Sequence, residues 1–463
     1  MNRLPLDDDI IDSIFTFLPT FADLQAAILT SKAFYQVFET RPNSTMRAVA
    51  YNVVGPALPQ ALRVLRFHLS QNISYEMCYN KNLPAPESNY DIERFILPKE
   101  TFGLVENVKA VRGLEDLFSL RHKDRRFESS QLSPEESHRF QSAMYRVMLY
   151  CKVFSYRRYR MYRGFIEDRG AVGIDPQVFE EREVVLSDYG TKDLYEILSL
   201  SFFLKDIIQD TIEVFDVEDS NELDTILSIG PSSIYYAFKD SVVAFNAASN
   251  DVNESLDPMD LQDTYPSLCG YISKPIEFIL EQREGKKVSR DDDEVRYAIL
   301  KAENIRGEHD CCDQCGQDAG FDLFGPSTYN YFGKTSRVLH VSTLRSLLPG
   351  KLRFNTHDRF NSYLTQDFWQ NRNEIAFVAV LEWIYDGHKS SEFEAWNKDD
   401  WLCEDCVQHI LSAHLHVWLL DLMIKNGEAV LEDCWYGYNC RTQTHSQHHA
   451  TRLNHLCVQT RFR

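Results

Sequence analysis

Residues 4–38 read LPLDDDIIDSIFTFLPTFADLQAAILTSKAFYQVF. The opening combines a Leu-Pro pair with three successive aspartates, which suit the first turn of a helix because the helix dipole favours negative charge there. An apolar face follows at helical spacing, formed by Ile10, Ile11, Ile14, Phe15 and Leu18. Pro19 ends this helix, and Thr20 with Asp23 resembles a capping box that begins the next one. The stretch predicts two or three short helices whose apolar surface must pack on the rest of the chain or on another protein.

The same stretch resembles an F-box. The family pattern is matched by Leu4, Pro5, Ile11, Ile14, Leu18, Asp23, Leu24, Leu29, Ser31, Lys32 and Phe34. The resemblance implies docking on the Skp adaptor of an SCF-type cullin–RING ubiquitin ligase. The adaptor-binding side chains would be Leu4, Pro5, Ile11, Ile14, Leu18, Leu24 and Leu29. The alternative is an ordinary helical hairpin that packs on its own core.

Composition limits the class of protein. The chain has 463 residues, is 44% hydrophobic and carries a formal charge of −20. This size allows two or three domains, and the negative charge argues against nucleic-acid binding, which requires a basic surface. No secretory signal or long uncharged apolar run is evident, so we expect a cytoplasmic or nuclear protein without a membrane span. Its cysteines are then expected to be reduced and free to bind metal.

The pattern of residues predicts a mainly α fold with four parts. These are an F-box (1–45), a helical body (46–285), a four-cysteine zinc-binding region with an insertion and a long helix (286–433), and a zinc-finger-like tail (434–463). In the body, Ser133 and Glu136 form a capping box that begins a helix. Eight of the eleven cysteines lie after residue 310. We therefore expect the C-terminal part to be a zinc-binding α+β region.

Two cysteine pairs have the spacing of zinc ligands. Cys312 and Cys315 form a C-x-x-C-G unit, in which Gly316 allows the backbone to fold over a metal. Cys403 and Cys406 form a second pair that begins a strongly apolar helical pattern. Together the pairs resemble a treble-clef zinc site, although the segment between them is much longer than usual. Two unrelated pairs, or thiols that are merely buried, remain the alternatives.

The tail offers a second set of zinc ligands. Cys434, Cys440, His449 and His455 have the pattern C-x5-C-x8-H-x5-H, which can complete a tetrahedral site. Three nearby residues, His445, His448 and Cys457, are spare donors that could replace members of this set. A solvated, histidine-rich tail is the alternative without a metal.

The tail also resembles the poly(ADP-ribose)-binding zinc finger. Tyr436 and Gly437 match that family, and Arg441 matches in type but stands one place early. The spacing before the first histidine is longer than the family's. Tyr436 and Arg441 could hold a base and a phosphate, but packing within a small metal-stabilised fold is their simpler role.

These observations lead to three functional hypotheses. The first is a non-catalytic subunit of an SCF-type ubiquitin ligase that binds the Skp adaptor, and through it the cullin, and recruits a protein target; the loosely similar group is the F-box proteins of fungi. The second is a zinc-dependent protein that binds nucleotides or poly(ADP-ribose), with the N-terminal hairpin part of its own core. The third is a metalloenzyme with an open zinc position, which is disfavoured because both predicted sites have four protein ligands.

Overall fold

The computed structural model describes residues 7–67, 84, 86–87, 95–155, 176–212, 220–240, 270–329, 345–364 and 375–461. Within these residues the protein is mainly helical, which confirms the predicted class. Leu4 and Pro5 lie outside the described residues. The helices are α1 (Asp8–Thr16), α2 (Phe21–Thr30), α3 (Lys32–Thr40), α4 (Pro42–Val54), α5 (Leu58–Arg66), α6 (Glu100–His122), α7 (Pro134–Val153), α8 (Pro176–Ser187), α9 (Thr191–Ile212), α10 (Ser220–Leu227), α11 (Pro231–Asp240), α12 (Ser273–Glu284), α13 (Asp293–Arg296), α14 (Phe360–Ser362), α15 (Ile375–Trp383), α16 (Glu404–Lys425) and α17 (Gln447–Arg452).

The N-terminal helices α1 to α4 pack on one another. The hydroxyl of Thr20 accepts a hydrogen bond from the backbone N–H of Asp23, so the predicted start of α2 is confirmed. The Asn52 side chain of α4 donates to the carbonyl oxygens of Thr16 and Leu18 at 2.8 and 2.9 Å, which ties the turn after α1 to α4. The hairpin is thereby continuous with the helices that follow.

A first hydrophobic core extends from Ile11 to Leu300. Its centre is α7, which packs against α5, α6 and α9. The predicted capping box at the start of α7 is confirmed, because the side chain of Ser133 and that of Glu136 each bond the other's backbone N–H. The buried apolar residues of α1 to α3 belong to this same core, so the hairpin shares its interior with the body; they are Ile11, Phe15, Leu24 and Val37.

A second core extends from Cys312 to Leu456 and surrounds α16. Apart from α15, α16 and α17, its described residues form mostly short turns, such as Gly437–Asn439 and Thr442–Thr444. The predicted α+β character is not found among them, because β-structure there is limited to three isolated bridges. Each bridge joins two backbone segments next to one of the cysteine-containing clusters. No described neighbouring segment extends any of them into a sheet. The predicted division of the chain into four parts remains a prediction.

Helix α16 meets the length and composition expected of a membrane-crossing helix, and it is the one described helix that does so. Half of its apolar window is buried inside the protein. Its buried side includes Ile410, Leu415 and Leu419, and its N-cap is Cys403. The core helix of a folded domain has this same length and composition.

Candidate metal centres

The first cluster joins the two cysteine pairs that the sequence singled out. The sulfur atoms of Cys312, Cys315, Cys403 and Cys406 all lie within 4.8 Å of one another, and Cys315 Sγ is 3.5 Å from Cys403 Sγ. The predicted shared four-cysteine set is therefore assembled in space. The long segment between the pairs leaves and returns at the same place, and its length adds little to the entropic cost of bringing its ends together.

Backbone pairing explains why the two halves meet. Phe324 and Leu402 exchange two backbone hydrogen bonds of 2.8 Å, which bring the end of the insertion back beside its start. The Asp313 carboxylate accepts from the backbone N–H of Trp401 at 2.7 Å, and the N–H of Asp313 donates to the Trp401 carbonyl at 2.9 Å. Gly316 has φ +73°, and its N–H donates to the Cys312 carbonyl, which closes the first turn as predicted.

The electrostatics of the four thiols favour a cation. Burial and the neighbouring sulfur atoms raise the pKa of Cys406, and burial is also the main cause that raises the pKa of Cys403 to about 11. Burial also acts to raise the pKa of Cys312, but hydrogen bonds from the backbone N–H groups of Cys315, Cys403 and Gln314 outweigh it and lower that pKa to about 7. Negative charges on sulfur atoms this close repel one another, and burial adds to the cost of each charge. A divalent ion removes this penalty, and four thiolates in this arrangement are a typical structural zinc set.

The second cluster consists of Cys434, Cys440, His449 and His455, whose ligand atoms also lie within 4.8 Å of one another. His449 Nε2 lies 3.3 Å from Cys440 Sγ and 3.8 Å from Cys434 Sγ. His455 is completely buried, and neither of its ring nitrogens has a hydrogen-bond partner. Such a buried polar ring is costly in an empty site, whereas zinc satisfies one of the two nitrogens.

The spare donors are not part of this cluster. His445 and His448 are exposed. Cys457 directs its thiol to the carbonyl oxygens of Cys434 and Asn454, at 3.6 and 3.3 Å. The two histidines chosen from the spacing are thus the two that the structure brings together with the cysteines. Each cluster could hold a zinc ion, and four protein ligands leave neither with an open position for a metalloenzyme.

The tail is folded against the rest of the second core rather than solvated. Gly437 has φ +44°, and a Cβ there would lie 2.2 Å from the Cys457 carbonyl oxygen, so the turn requires glycine. The Tyr438 carbonyl accepts from the backbone N–H of Lys351 at 2.8 Å. The buried side chain of Gln443 accepts from the side-chain amide of Asn355 at 3.0 Å. Residues of the insertion, the segment between Cys315 and Cys403, therefore support the tail. The sequence analysis did not predict this contact.

The outer surface of the tail is aromatic and basic. Residues 434–463 contain no Asp or Glu, although the whole chain carries a formal charge of −20. Trp435 is 59% exposed, and the guanidinium of Arg461 lies 4.8 Å from its ring. Arg441 is exposed and Tyr436 is half-buried. The sequence analysis predicted no role for Trp435 or Arg461. Neither residue is a metal ligand, and neither is part of the zinc-finger pattern that the tail resembles.

The described adaptor-binding candidates of the N-terminus divide into two groups. Ile11 and Leu24 are buried within the protein, and Leu18 packs partly against the same core. Ile14 and Leu29 face solvent, and Leu29 is 76% exposed. Ile11 and Leu24 can therefore hold the hairpin together but offer no accessible surface, whereas Ile14 and Leu29 do.

Two exposed residues differ from the sequence analysis, which did not consider Phe17 and assigned Ile10 to the same apolar face as Ile11 and Phe15. Phe17 is 83% exposed and Ile10 is 49% exposed, both in or directly after α1. Their spacing from the inward residues Ile11 and Phe15 places them on a different side of the helix. A second apolar side on a short helix is a signal that the family pattern does not contain, but the helical spacing could have shown it.

Comparisons with known proteins give one local similarity. No family model and no solved structure matches the chain. The E3 ubiquitin-protein ligase CHFR of Homo sapiens, Mus musculus and Pongo abelii is 58% identical to this chain over 31 residues. That segment is 7% of this chain and only 4 to 5% of those proteins, so the chain spans a small fraction of the relatives it matches.

This similarity corrects one prediction. The expectation that the chain is not an enzyme is contradicted, because the proteins that it locally resembles are E3 ubiquitin ligases, which are enzymes. The expectation rested on the F-box resemblance, which implies a non-catalytic subunit of a ubiquitin ligase. That resemblance is limited to residues 4–38 and does not bear on the rest of the chain.

Proposed function

We propose that this protein is a component of a ubiquitin ligase that recruits a target for ubiquitination. In this proposal, α1 to α3 form an F-box that docks on a Skp-type adaptor, and the zinc-bearing C-terminal region engages the target. The local similarity to E3 ubiquitin ligases supports the general class. The observation that carries the docking site is the set of apolar side chains that α1, α2 and the turn between them leave exposed.

Different apolar residues of the hairpin are buried and exposed, and this difference supports the docking proposal. Phe15 packs edge-on against Phe34 and Phe38, with ring centroids 5.6 and 6.4 Å apart, and thus holds α1 against α3. Phe17 and Leu29 have no such role because both are largely exposed. Burying two large apolar side chains on a partner would stabilise a complex by about 3–6 kcal/mol before the costs of association.

Co-purification with the adaptor tests this function. We expect the double variant Ile14→Asp with Leu29→Asp to lose at least tenfold in affinity for a Skp-type adaptor. Phe102→Asp is the matched control, since Phe102 is 75% exposed on the body and far from the hairpin in sequence. Wild-type adaptor affinity in the double variant would overturn the proposed docking site, provided that circular dichroism shows an unchanged helix content.

A second function concerns the tail, which we propose as a binding site for poly(ADP-ribose). The supporting observation is a segment without Asp or Glu that exposes Trp435 and Arg441 beside the assembled Cys434–His455 ligand set, in a chain that is acidic as a whole. The exposed Trp435 could stack on a base, and Arg441 could bind a phosphate. Together with the first function, this would direct the ligase to ADP-ribosylated targets.

Binding of ADP-ribose polymer tests the second function separately. We expect Arg441→Ala and Trp435→Ala each to weaken binding by about tenfold, with affinity falling as salt is raised. Arg290→Ala is the control, because Arg290 is 53% exposed and pairs with Asp206 of α9, away from the tail ligands in the sequence. Equal binding by all four proteins would remove the tail function and leave adaptor docking untouched.

A further inference from the structure

Asp358 lies beside a ligand of the tail cluster although it belongs to the insertion between the two cysteine pairs. Its Oδ2 is 3.8 Å from Nδ1 of His455, and the Asp358 side chain is only 9% exposed. Nδ1 and Nε2 of His455 are both buried without a hydrogen-bond partner. A carboxylate buried next to an unsatisfied imidazole is unusual, since each has a polar group that needs a partner.

Local structure holds this carboxylate in place. The side-chain oxygen of Asn355 accepts from the backbone N–H groups of His357 and Asp358 at 3.0 and 3.1 Å. The Asn355 amide in turn donates to Gln443, which lies between two tail ligands in the sequence. Phe360 is fully buried and anchors the chain just beyond Asp358. The loop is therefore built against the tail.

We infer that Asp358 is a positioning residue for the tail metal: it accepts a hydrogen bond from Nδ1–H of His455 and so presents Nε2 to zinc. Histidines that bind metals commonly donate their second N–H to a carboxylate, which fixes the tautomer and the ring orientation. The 3.8 Å separation is longer than a hydrogen bond, and coordination of Nε2 would make Nδ1–H a stronger donor and so favour a closer approach of the carboxylate.

This inference gives the insertion a role in the second metal site. Asp358 and its support, Asn355, both lie between Cys315 and Cys403, whereas His455 lies near the end of the chain. The first cluster joins the two ends of the insertion. The insertion in turn supplies Asp358, the carboxylate that would bond a ligand of the second cluster. The tail is thus not an autonomous finger.

Metal affinity of the full-length protein tests the inference. Zinc is withdrawn by a competing chelator from the wild type, Asp358→Ala, Asp358→Asn and Glu428→Gln. We expect Asp358→Ala to weaken one of the two zinc ions by 10- to 100-fold, and Asp358→Asn to weaken it less because the amide oxygen still accepts. Glu428→Gln is the control, since Glu428 pairs with the neighbouring residue Arg359 at 3.0 Å and should leave both sites unchanged.

Cobalt substitution assigns the weakened site, because four thiolates and a mixed thiolate–imidazole set give different charge-transfer absorption. We expect the change only at the mixed set. Normal loading of the four-cysteine site in the same sample shows that the variant is folded. If Asp358→Ala and Asp358→Asn both bind zinc as the wild type does, the inference is wrong.

The histidine tautomer gives a readout that a purely structural role would not change. In zinc-loaded protein with ¹⁵N-labelled histidine, we expect Nδ1 of His455 to carry the proton, with its signal identified by its absence in His455→Cys. Asp358→Ala should shift this signal and speed its exchange with water. Coordination of zinc through Nδ1 of His455 would overturn the inference.

Discussion

The two cores of this protein are stabilised by different means. The first, from Ile11 to Leu300, is built of long helices such as α6, α7 and α9 that bury apolar faces against one another. The second, from Cys312 to Leu456, has α16 as its long helix and otherwise consists largely of single turns in the described residues. Turns of three residues bury little apolar surface and have few hydrogen bonds of their own. Since each of its two clusters could hold a zinc ion, metal ligation would replace regular secondary structure in the second core.

The largest expected effect is that of removing zinc. We expect a strong chelator to unfold the second core and leave the first folded, since structural zinc contributes on the order of 10 kcal/mol per site in small metal-dependent folds. Limited proteolysis followed by mass spectrometry should show new cleavage within residues 386–461, while 95–153 stay protected. Chelator saturated with zinc is the control. Protection of both regions after complete zinc removal would show that the second core needs no metal.

The inward and outward sides of α1 give the next comparison. Phe15→Ala should lower the free energy of unfolding by about 4 kcal/mol, because Phe15 is fully buried between Phe34 and Phe38. Phe17→Ala should change it by less than about 0.5 kcal/mol, because Phe17 is 83% exposed. Urea denaturation measures both. Similar losses in the two variants would mean that Phe17 is also part of the folded interior.

Much of the fold could be predicted because its signals are local. The capping residues Thr20 and Ser133 lie three residues from the partners that they bond, and both caps are present. The metal ligands follow from spacing in the same way, since Cys403 and Cys406 open the helix that their position predicted. Periodicity and short-range spacing can be read from one sequence without knowing what packs against what.

The remaining features depend on residues that are distant in the chain. Asp358 contacts His455, and Arg125 contacts Asp310, and no periodicity links the members of either pair. Helical spacing places Phe15 and Phe17 on different sides of α1, but which of the two sides is buried depends on how α1 lies against α3 and α4. Such contacts are set by tertiary packing, which local patterns do not specify.

A buried ion pair in the first core gives the third prediction. Glu136 is fully buried and pairs with Lys123. Burial raises the pKa of Glu136, but hydrogen bonds from Lys123 and from the backbone N–H groups of Lys301 and Ser133 outweigh it and lower that pKa to about 2. Because this is below the value in the unfolded chain, the pair stabilises the fold at neutral pH, and this contribution is lost as the pH falls from about 4.3 to 2.

Glu136→Gln should therefore destabilise the first core by about 3 kcal/mol at pH 7, and the difference from wild type should shrink towards zero near pH 2. Urea denaturation of zinc-free protein measures this without a contribution from metal loss. Glu135→Gln is the matched control, because Glu135 is 73% exposed and its pair with Lys301 is at the surface. A difference that does not change with pH would show that Glu136 acts through packing and not through its charge.

The smallest expected effect lies where the two cores meet, at Arg125. Its buried guanidinium donates to the carbonyl oxygens of Gly307 and Gly320 and to Asp310, and lies 4.8 Å from the Trp401 ring. Lysine cannot reproduce this planar set of contacts, so Arg125→Lys should cost about 2 kcal/mol.

Arg125 follows α6 of the first core, while its partners flank the four-cysteine cluster of the second. Arg125→Lys should therefore also weaken the coupling between the unfolding of the two cores. In calorimetry of zinc-loaded protein we expect one transition for the wild type and two for the variant, with two zinc ions still bound to each. Arg126→Lys, which changes an arginine that is 47% exposed and pairs with Asp124, should keep the wild-type profile. If Arg125→Lys unfolds in one transition at a lower temperature, the cores are joined by more than this side chain, and the metal-dependent region is stabilised in part by the helical body.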